Sequence, residues 1–267
     1  MFHRHPIFGL HRFQRVDVEP LHLARWPVVA SVAVALAACG DAGTDSGSGG
    51  GSTGGAAPCT VDESYDPPID PASFVEGVDN PLFPLVTGTV FHYVEGTASV
   101  DVTVMAETKT ILGVTCTQVH DVLTDGGEVV EDTLDWYAQD TDGTVWYFGE
   151  DTKEYSGGMV VSTEGSWTAG VDGAKPGILV EGSPAVGDQY RQEYYACHAE
   201  DMGEVLALDA SATVPQGAYS GCLKTRDTTP LEPTADEAKY YCPGVGLVLS
   251  VDTNSGDREE LVSITSP

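Results

Sequence analysis

From Gly88 onward the chain alternates apolar and polar positions with a period of two, and helical spacing is nearly absent. "VDVTV" (100–104) places valines on one side of a strand, and "VTCTQV" (114–119) alternates again. Val and Thr suit a pleated, half-buried surface. Turn signals break the pattern at Asp125-Gly126-Gly127, Asp142-Gly143, Gly157-Gly158 and Gly187-Asp188. Strands separated by such turns predict antiparallel meanders. The best helical candidate is "AEDMGEVLAL" (199–208), and Gly203 interrupts it.

The run "DWYAQDTDGTVWYFGEDTKEY" (135–155) is dense in aromatic and acidic residues. Along its first strand Leu134, Trp136 and Ala138 point one way, Asp135 and Tyr137 the other. After the Asp140–Gly143 turn, Val145 and Tyr147 oppose Trp146 and Phe148. This predicts a β-hairpin with aromatics on both faces. One face must be core. The other is either covered or a ligand platform, for which Trp136, Tyr137, Trp146 and Tyr147 are the candidates.

The pattern is written twice. Cys116 and Cys222 each lie in a first strand, an acidic turn-rich middle follows, and then comes an aromatic pair, Trp136-Tyr137 or Tyr240-Tyr241. A glycine turn and an apolar strand close each unit. The fold class predicted is all-β, a duplicated antiparallel β-meander forming a sandwich or an open half-barrel. The repeats run from about 88–160 and 187–265, after an extended lead-in over 59–87.

The segments "DTLDWYAQDTDGTVWYFGEDTKEY", "EGSWTAGVDGAKPGI" and "KYYCPGVGLV" resemble a family of uncharacterised bacterial secreted proteins and lipoproteins, over most of 84–252. The family has no established activity, so the resemblance transfers no catalytic residue. It does imply a cysteine pairing. Cys197 stands where the family has glycine and Cys242 where it has alanine, each just after or near a Tyr-Tyr. That implies a Cys197–Cys242 bond, with Cys116 and Cys222 a second pair or free thiols.

The start of the chain changes the setting. Residues 1–25 carry four arginines, and the apolar run "WPVVASVAVALAAC" follows. Trp26–Ala38 is shorter than the roughly 20 residues of a membrane span and has the length of a signal-peptide core. "LAAC" resembles a bacterial lipobox, which implies cleavage before Cys39 and acylation of its sulfur. Residues 1–38 are thus expected to be a lipoprotein signal peptide, and the Gly/Ser-rich 39–58 a flexible tether. Acyl chains on Cys39 would hold the protein to a membrane. Gly40, not Asp, follows the cysteine, which points to the outer membrane.

Composition narrows the function. The chain has 12 basic and 41 acidic residues. Without residues 1–38, which hold four Arg, Asp17 and Glu19, the balance is 8 against 39. Nucleic acid is excluded as a partner, since phosphate binding needs basic surface. With Cys39 acylated, five cysteines remain in a compartment where disulfides persist. Five is odd, and Cys59, beside the tether, is the expected leftover.

Site chemistry is sparse. His92, His120 and His198 are the histidines of the mature chain, and no nucleophile elbow, zinc knuckle or dinucleotide loop occurs. Asp140 and Asp142 are the candidate metal ligands, for calcium, although "DTDG" lacks the 12-residue spacing and final Glu of an EF-hand. No other cofactor is indicated. The expectation is a lipid-anchored cell-envelope protein, a non-enzymatic binding or structural module with a protein or glycan partner. The alternatives are a carrier of apolar ligands with a half-barrel groove, or an unrecognised hydrolase or metal-dependent enzyme.

Overall fold

The computed structural model describes residues 61–267. The expected signal peptide and tether, with Cys39 and Cys59, lie outside the described residues.

The strands are, in chain order, β1 (Val90–Glu95), β2 (Ala98–Ile111), β3 (Val114–Asp125), β4 (Glu128–Gln139), β5 (Val145–Ser156), β6 (Met159–Ser162), β7 (Trp167–Thr168), β8 (Lys175–Val180), β9 (Gln189–Arg191), β10 (Glu193–Tyr194), β11 (Met202–Val214), β12 (Gly217–Thr228), β13 (Asp236–Cys242), β14 (Gly246–Asp252) and β15 (Arg258–Thr265). Pairing is antiparallel throughout and follows the order β10-β8-β5-β4-β3-β2-β1-β15-β14-β13-β12-β11-β9, with β6 and β7 on β5. A three-residue 3-10 turn, Pro71–Ser73, is the nearest thing to a helix among the described residues. The helical candidate at 199–208 is instead the approach to β11 and its first half. There Gly203 and Val205 are buried while Met202, Glu204 and Leu206 are not, which is the alternation of a strand.

Two consecutive meanders, β1–β5 and β11–β15, carry the duplication. Each opens on the same clamp. The Gly88 N–H donates to Val104 O (2.8 Å) and the Val104 N–H to Thr89 O (2.9 Å). In the second unit the Gly187 N–H donates to Val205 O (2.8 Å) and the Val205 N–H to Asp188 O (2.9 Å). The expected alternative of two facing sheets does not form. The last strand of the second meander, β15, pairs with the first strand of the first, β1. One continuous sheet results.

That sheet curls. Its two ends, β9 and β10, are separated in the chain by Gln192 alone. At this seam β8 comes so close that a Cβ on Gly177 would sit 2.0 Å from Gln192 O, so only glycine fits. One face therefore looks at itself. Phe83 of the lead-in touches both Tyr137 on β4 (5.3 Å) and Tyr241 on β13 (6.3 Å), strands far apart in the sheet. This inner face carries Val100, Val102, Val119, Leu123, Leu223, Leu247 and Leu261, all buried. Burying an aliphatic side chain of this size contributes about 1.5–3 kcal/mol.

The outer face of the first meander is covered too. Phe74 of the lead-in packs on Trp146 (6.3 Å) and Phe148 (5.6 Å), and the Val75 N–H donates to Gln139 O at 2.9 Å. The hairpin is therefore buried on both faces, which is why it is aromatic on both.

Candidate functional site

The inner face is not purely apolar. On β4 and β5 the directly opposed pairs are Glu131–Glu154, Thr133–Thr152, Asp135–Glu150 and Tyr137–Tyr147. All eight side chains are buried. Tyr137 and Tyr147 stack at 4.8 Å. The Tyr147 hydroxyl lies 2.6 Å from Asp135 Oδ1 and 3.2 Å from Glu150 Oε2. The Thr152 hydroxyl donates to Glu150 at 3.2 Å, and Thr133 to Thr152 at 3.1 Å. Burial pushes the Asp135 carboxyl up to about 7, against the downward pull of its tyrosine hydrogen bonds. Burial, then the charges of Glu193, Asp135 and Glu131, also raise Glu150 well above the ordinary carboxylate range. Like charges this close cannot all ionise.

The second meander solves the same problem differently. Lys239, fully buried, pairs with Asp227 at 3.2 Å and Glu237 at 3.7 Å. Asp227 also accepts from Thr225 Oγ1 (2.7 Å) and Gln192 Nε2 (3.1 Å). Burial pulls the Lys239 pKa down, but Asp227, Glu237 and Asp201 outweigh it and hold the ammonium charged. Burial lifts Glu237 to about 7, partly offset by Lys239. Glu193 joins the two groups, raised by burial and by the charges of Asp201 and Asp135. Sequence reasoning does not single out these residues. Their signal is parity, because Asp135 shares a face with Tyr137, and Lys239 with Tyr241. Asp135 and Glu150 stand directly opposite each other on β4 and β5. With Asp135 fully buried and Glu150 2 % exposed, the pair is packed within the sheet rather than presented at its surface.

The four aromatic platform candidates separate. Tyr137 and Tyr147 are enclosed on the inner face. Trp146 lies under Phe74, and its indole N–H donates to Asp140 Oδ2 at 2.9 Å. Trp136, on the outer face, donates to Gln118 Oε1 at 3.1 Å and carries the Lys109 ammonium 3.1 Å from its ring centre. Trp136 borders a cavity of 320 Å³, whose walls also include Lys109, Trp167, Tyr195, Asp151 and Asp172. Trp167 is 4 % exposed, and its indole N–H meets no acceptor among the described residues. The segment from Trp167 to Ala174 that forms this wall falls between the two repeats, where the alternation of the sequence carries no site signal.

Both carboxylate oxygens of Asp140 serve its own turn. Oδ1 accepts from the N–H groups of Asp142 (3.0 Å) and Thr144 (2.9 Å), and Oδ2 holds Trp146. Asp142 is exposed on the same turn. Among the described residues no group of three or more His, Cys, Asp or Glu is placed to hold a metal ion. The histidines stay apart: His92 pairs with Asp101 (2.6 Å), His120 with Asp132 (3.2 Å), and His198 stacks on Tyr195 (4.4 Å).

The cysteine pairing differs from the one the resemblance implied. Cys222 bonds to Cys242, with Cα atoms 4.2 Å apart. Leu223 faces Tyr241 in the β12–β13 register. One step further sets Cys222 opposite Cys242, in a close cross-strand pair. Cys197 is disulfide-bonded as well, but to none of the other described cysteines. Cys116 is the free thiol among them, buried, with its pKa pushed by that burial to about 12.

No family model matches the chain, and no curated protein does. Among solved structures, a protein of Parabacteroides distasonis ATCC 8503 described as a candidate lipoprotein is similar at 13 % identity and TM-score 0.38, over 70 % of this chain and 99 % of that one. A likeness so distant carries no argument about fold or function.

Proposed function

We propose that this is a lipid-anchored protein of the bacterial cell envelope, acting without catalysis as a binding or structural module. The observation that carries the choice of module over carrier is the filled interior. Tyr93, Tyr137, Tyr147, Tyr241, Leu223, Leu247 and Leu261 are all buried, with at most 2 % of their surface exposed, and occupy the face that a carrier would leave empty. The buried carboxylates are engaged with protein groups there. The arginine-rich start, the short apolar core and "LAAC" supply the anchor at Cys39, and the outer membrane is the favoured address. The acidic balance of the chain speaks against nucleic acid as partner, and the partner in this reading is a protein or glycan.

Mass spectrometry of the protein purified from its own envelope tests the anchor. The expected species begins at Cys39 and carries fatty acyl mass, and Cys39→Ser loses both the acyl mass and the membrane fraction. A chain that keeps residues 1–38, or wild-type protein free of acyl mass, overturns the anchor.

A further inference from the structure

We propose that Cys197 is joined by a disulfide to Cys59, and that this bond staples the lead-in across the joint where the two ends of the sheet meet. The choice of Cys59 over Cys39 rests in part on the anchor proposed above.

The chain has six cysteines. Cys222 is bonded to Cys242, and Cys116 is a free thiol. Cys197 is disulfide-bonded, and none of these three is its partner. Cys39 and Cys59 are what the chain has left. A lipid on the Cys39 sulfur leaves that sulfur unable to form a disulfide, so the partner is Cys59. The odd cysteine is then Cys116, inside the sheet, and not Cys59 beside the tether.

The described residues bring the lead-in to the Cys197 side of the fold. The Asp62 N–H donates to the Tyr194 hydroxyl at 2.6 Å, and that hydroxyl donates to Asp62 O at 3.1 Å. Arg191 donates to the Asp62 carboxylate at 2.9 Å. Tyr65 packs edge-on against Tyr194 at 5.2 Å, and its hydroxyl donates to Pro176 O at 2.8 Å. Lys175 pairs with Asp66 at 2.6 Å. Residues 62–66 thus lie over β8, β9 and β10, the strands on either side of Gln192.

Reach favours the same partner. Cys59 is three residues before Asp62, and Cys197 is three residues after Tyr194. Three residues extend to at most about 11 Å, at roughly 3.3–3.6 Å each. That covers the roughly 4.4–6.8 Å between the Cα atoms of a disulfide. Cys39 stands 23 residues before Asp62, and a longer loop costs more to close.

Cys197 is presented for the bond. It is exposed, on the tight turn closed by the Tyr195–Ala199 bridge. Its φ of 71° lies in the left-handed region that disfavours a side chain, and its N–H donates to Glu200 Oε1 at 2.7 Å. The turn holds the sulfur at the surface, where an oxidant reaches it. A protein disulfide of the exchange type in the envelope is that oxidant. The two thiols give up two protons and two electrons, the oxidant's S–S bond breaks to a dithiol, and the Cys59–Cys197 S–S bond forms. Exposed ion pairs such as Lys175–Asp66 hold the lead-in weakly by themselves. The covalent bond makes its docking permanent and fixes the tether's point of departure at the joint of the sheet.

Non-reducing mass-spectrometric mapping of the full protein from its own envelope, with free thiols alkylated in acid, tests the bond. Glutamyl endopeptidase cuts after Glu193 and Glu200 and frees the peptide that holds Cys197. The expected species is that peptide linked to Cys59, located by tandem fragmentation, with Cys116 the alkylated thiol. Cys39→Ser should keep the link. An alkylated Cys59, or Cys59 linked to Cys116 or to a second copy, overturns the bond. A link from Cys197 to Cys39 overturns the bond and the anchor together. A Cys59–Cys197 link in protein free of acyl mass supports the bond and overturns the anchor alone.

Hydrogen exchange reads the staple. In Cys59→Ser/Cys197→Ser the Asp62 amide should exchange at least roughly tenfold faster, as the lead-in opens locally. Cys116→Ala should leave that rate unchanged. An Asp62 rate that is the same in the double variant overturns the stapling role.

Discussion

The two meanders bury polar groups at equivalent places and set different side chains beside them. Counting back two residues from the second aromatic of each pair gives Asp135 in the first and Lys239 in the second. Counting five on from each first-strand cysteine gives Asp121 and Asp227, both buried. In the second meander Asp227 has a lysine as its neighbour, and the charge is held by an ion pair. In the first, an acid stands where the lysine would be, opposite another acid, Glu150. At Asp135 the first meander shows a carboxyl pKa raised by burial and the Tyr147 hydroxyl as hydrogen-bond donor. The outer face repeats the lesson. Cys222 meets Cys242 across the strand pair, while Cys116 stays a thiol.

The largest effect should come from Lys239→Met. It strands Asp227 and Glu237 without a cation, and losing one partner of a buried pair costs about 3–5 kcal/mol. Asp135→Asn in the first meander keeps the acceptor for Tyr147 and should cost under about 1 kcal/mol. Urea unfolding of the two variants checks this. Equal losses would erase the distinction between the halves.

Next comes the disulfide. Replacing Cys222 and Cys242 by Ser should cost about 2–4 kcal/mol for a bond closing this short loop. The mirror change sharpens the comparison. Ala138 lies one register step beyond the Thr117–Tyr137 pair, hence opposite Cys116. Ala138→Cys should therefore form the missing bond and raise stability by up to that amount. Peptide mapping of the oxidised protein would find Cys116 linked to the cysteine introduced at position 138, and a thiol persisting at both positions would refute the equivalence.

Acidity acts on both halves in the same direction. An ordinary unfolded Asp titrates near 3.9, whereas folded Asp135 titrates at about 7. The folded state favours the proton, so this group's contribution is complete below about pH 4 and is lost as pH rises through about 7. Glu237, also lifted to about 7, acts in the same direction, while Lys239 stays charged across this window. The melting temperature should fall from pH 5 to pH 8 by on the order of 5 °C, at about 2–4 °C per kcal/mol for this size. Asp135→Asn should flatten that slope. A Tm that rises over the same window contradicts the assignment.

The smallest effect concerns the turn that joins β4 to β5. Asp140→Ala removes the acceptor for two backbone N–H groups and for Trp146, and should cost about 1–2 kcal/mol. Asp142→Ala, at the exposed turn position, should stay within about 0.5 kcal/mol. Thermal melts of both compare them.

Alternation by itself determined that this chain is built of antiparallel strands. The recurrence of Cys116 with Trp136-Tyr137 and of Cys222 with Tyr240-Tyr241 marked two meanders. Strand periodicity is local, and a residue's side of the sheet follows from counting by two. The same counting put Asp135 beside Tyr137. It could not say that this face turns inward, because inwardness comes from β15 pairing with β1 and from the sheet bringing its ends to Gln192. Those are contacts between residues far apart in the chain. The Cys222–Cys242 bond and the pairing of Lys239 with Asp227 depend on register. A single-residue slip in register sends every side chain to the other face, so composition and spacing could not choose among the possible pairs. The cavity under Trp136 was the least legible feature. Its walls come from β2, from β4 and β5, from the segment after β6 and from Tyr195 beyond β10, and only the folded sheet sets those pieces side by side.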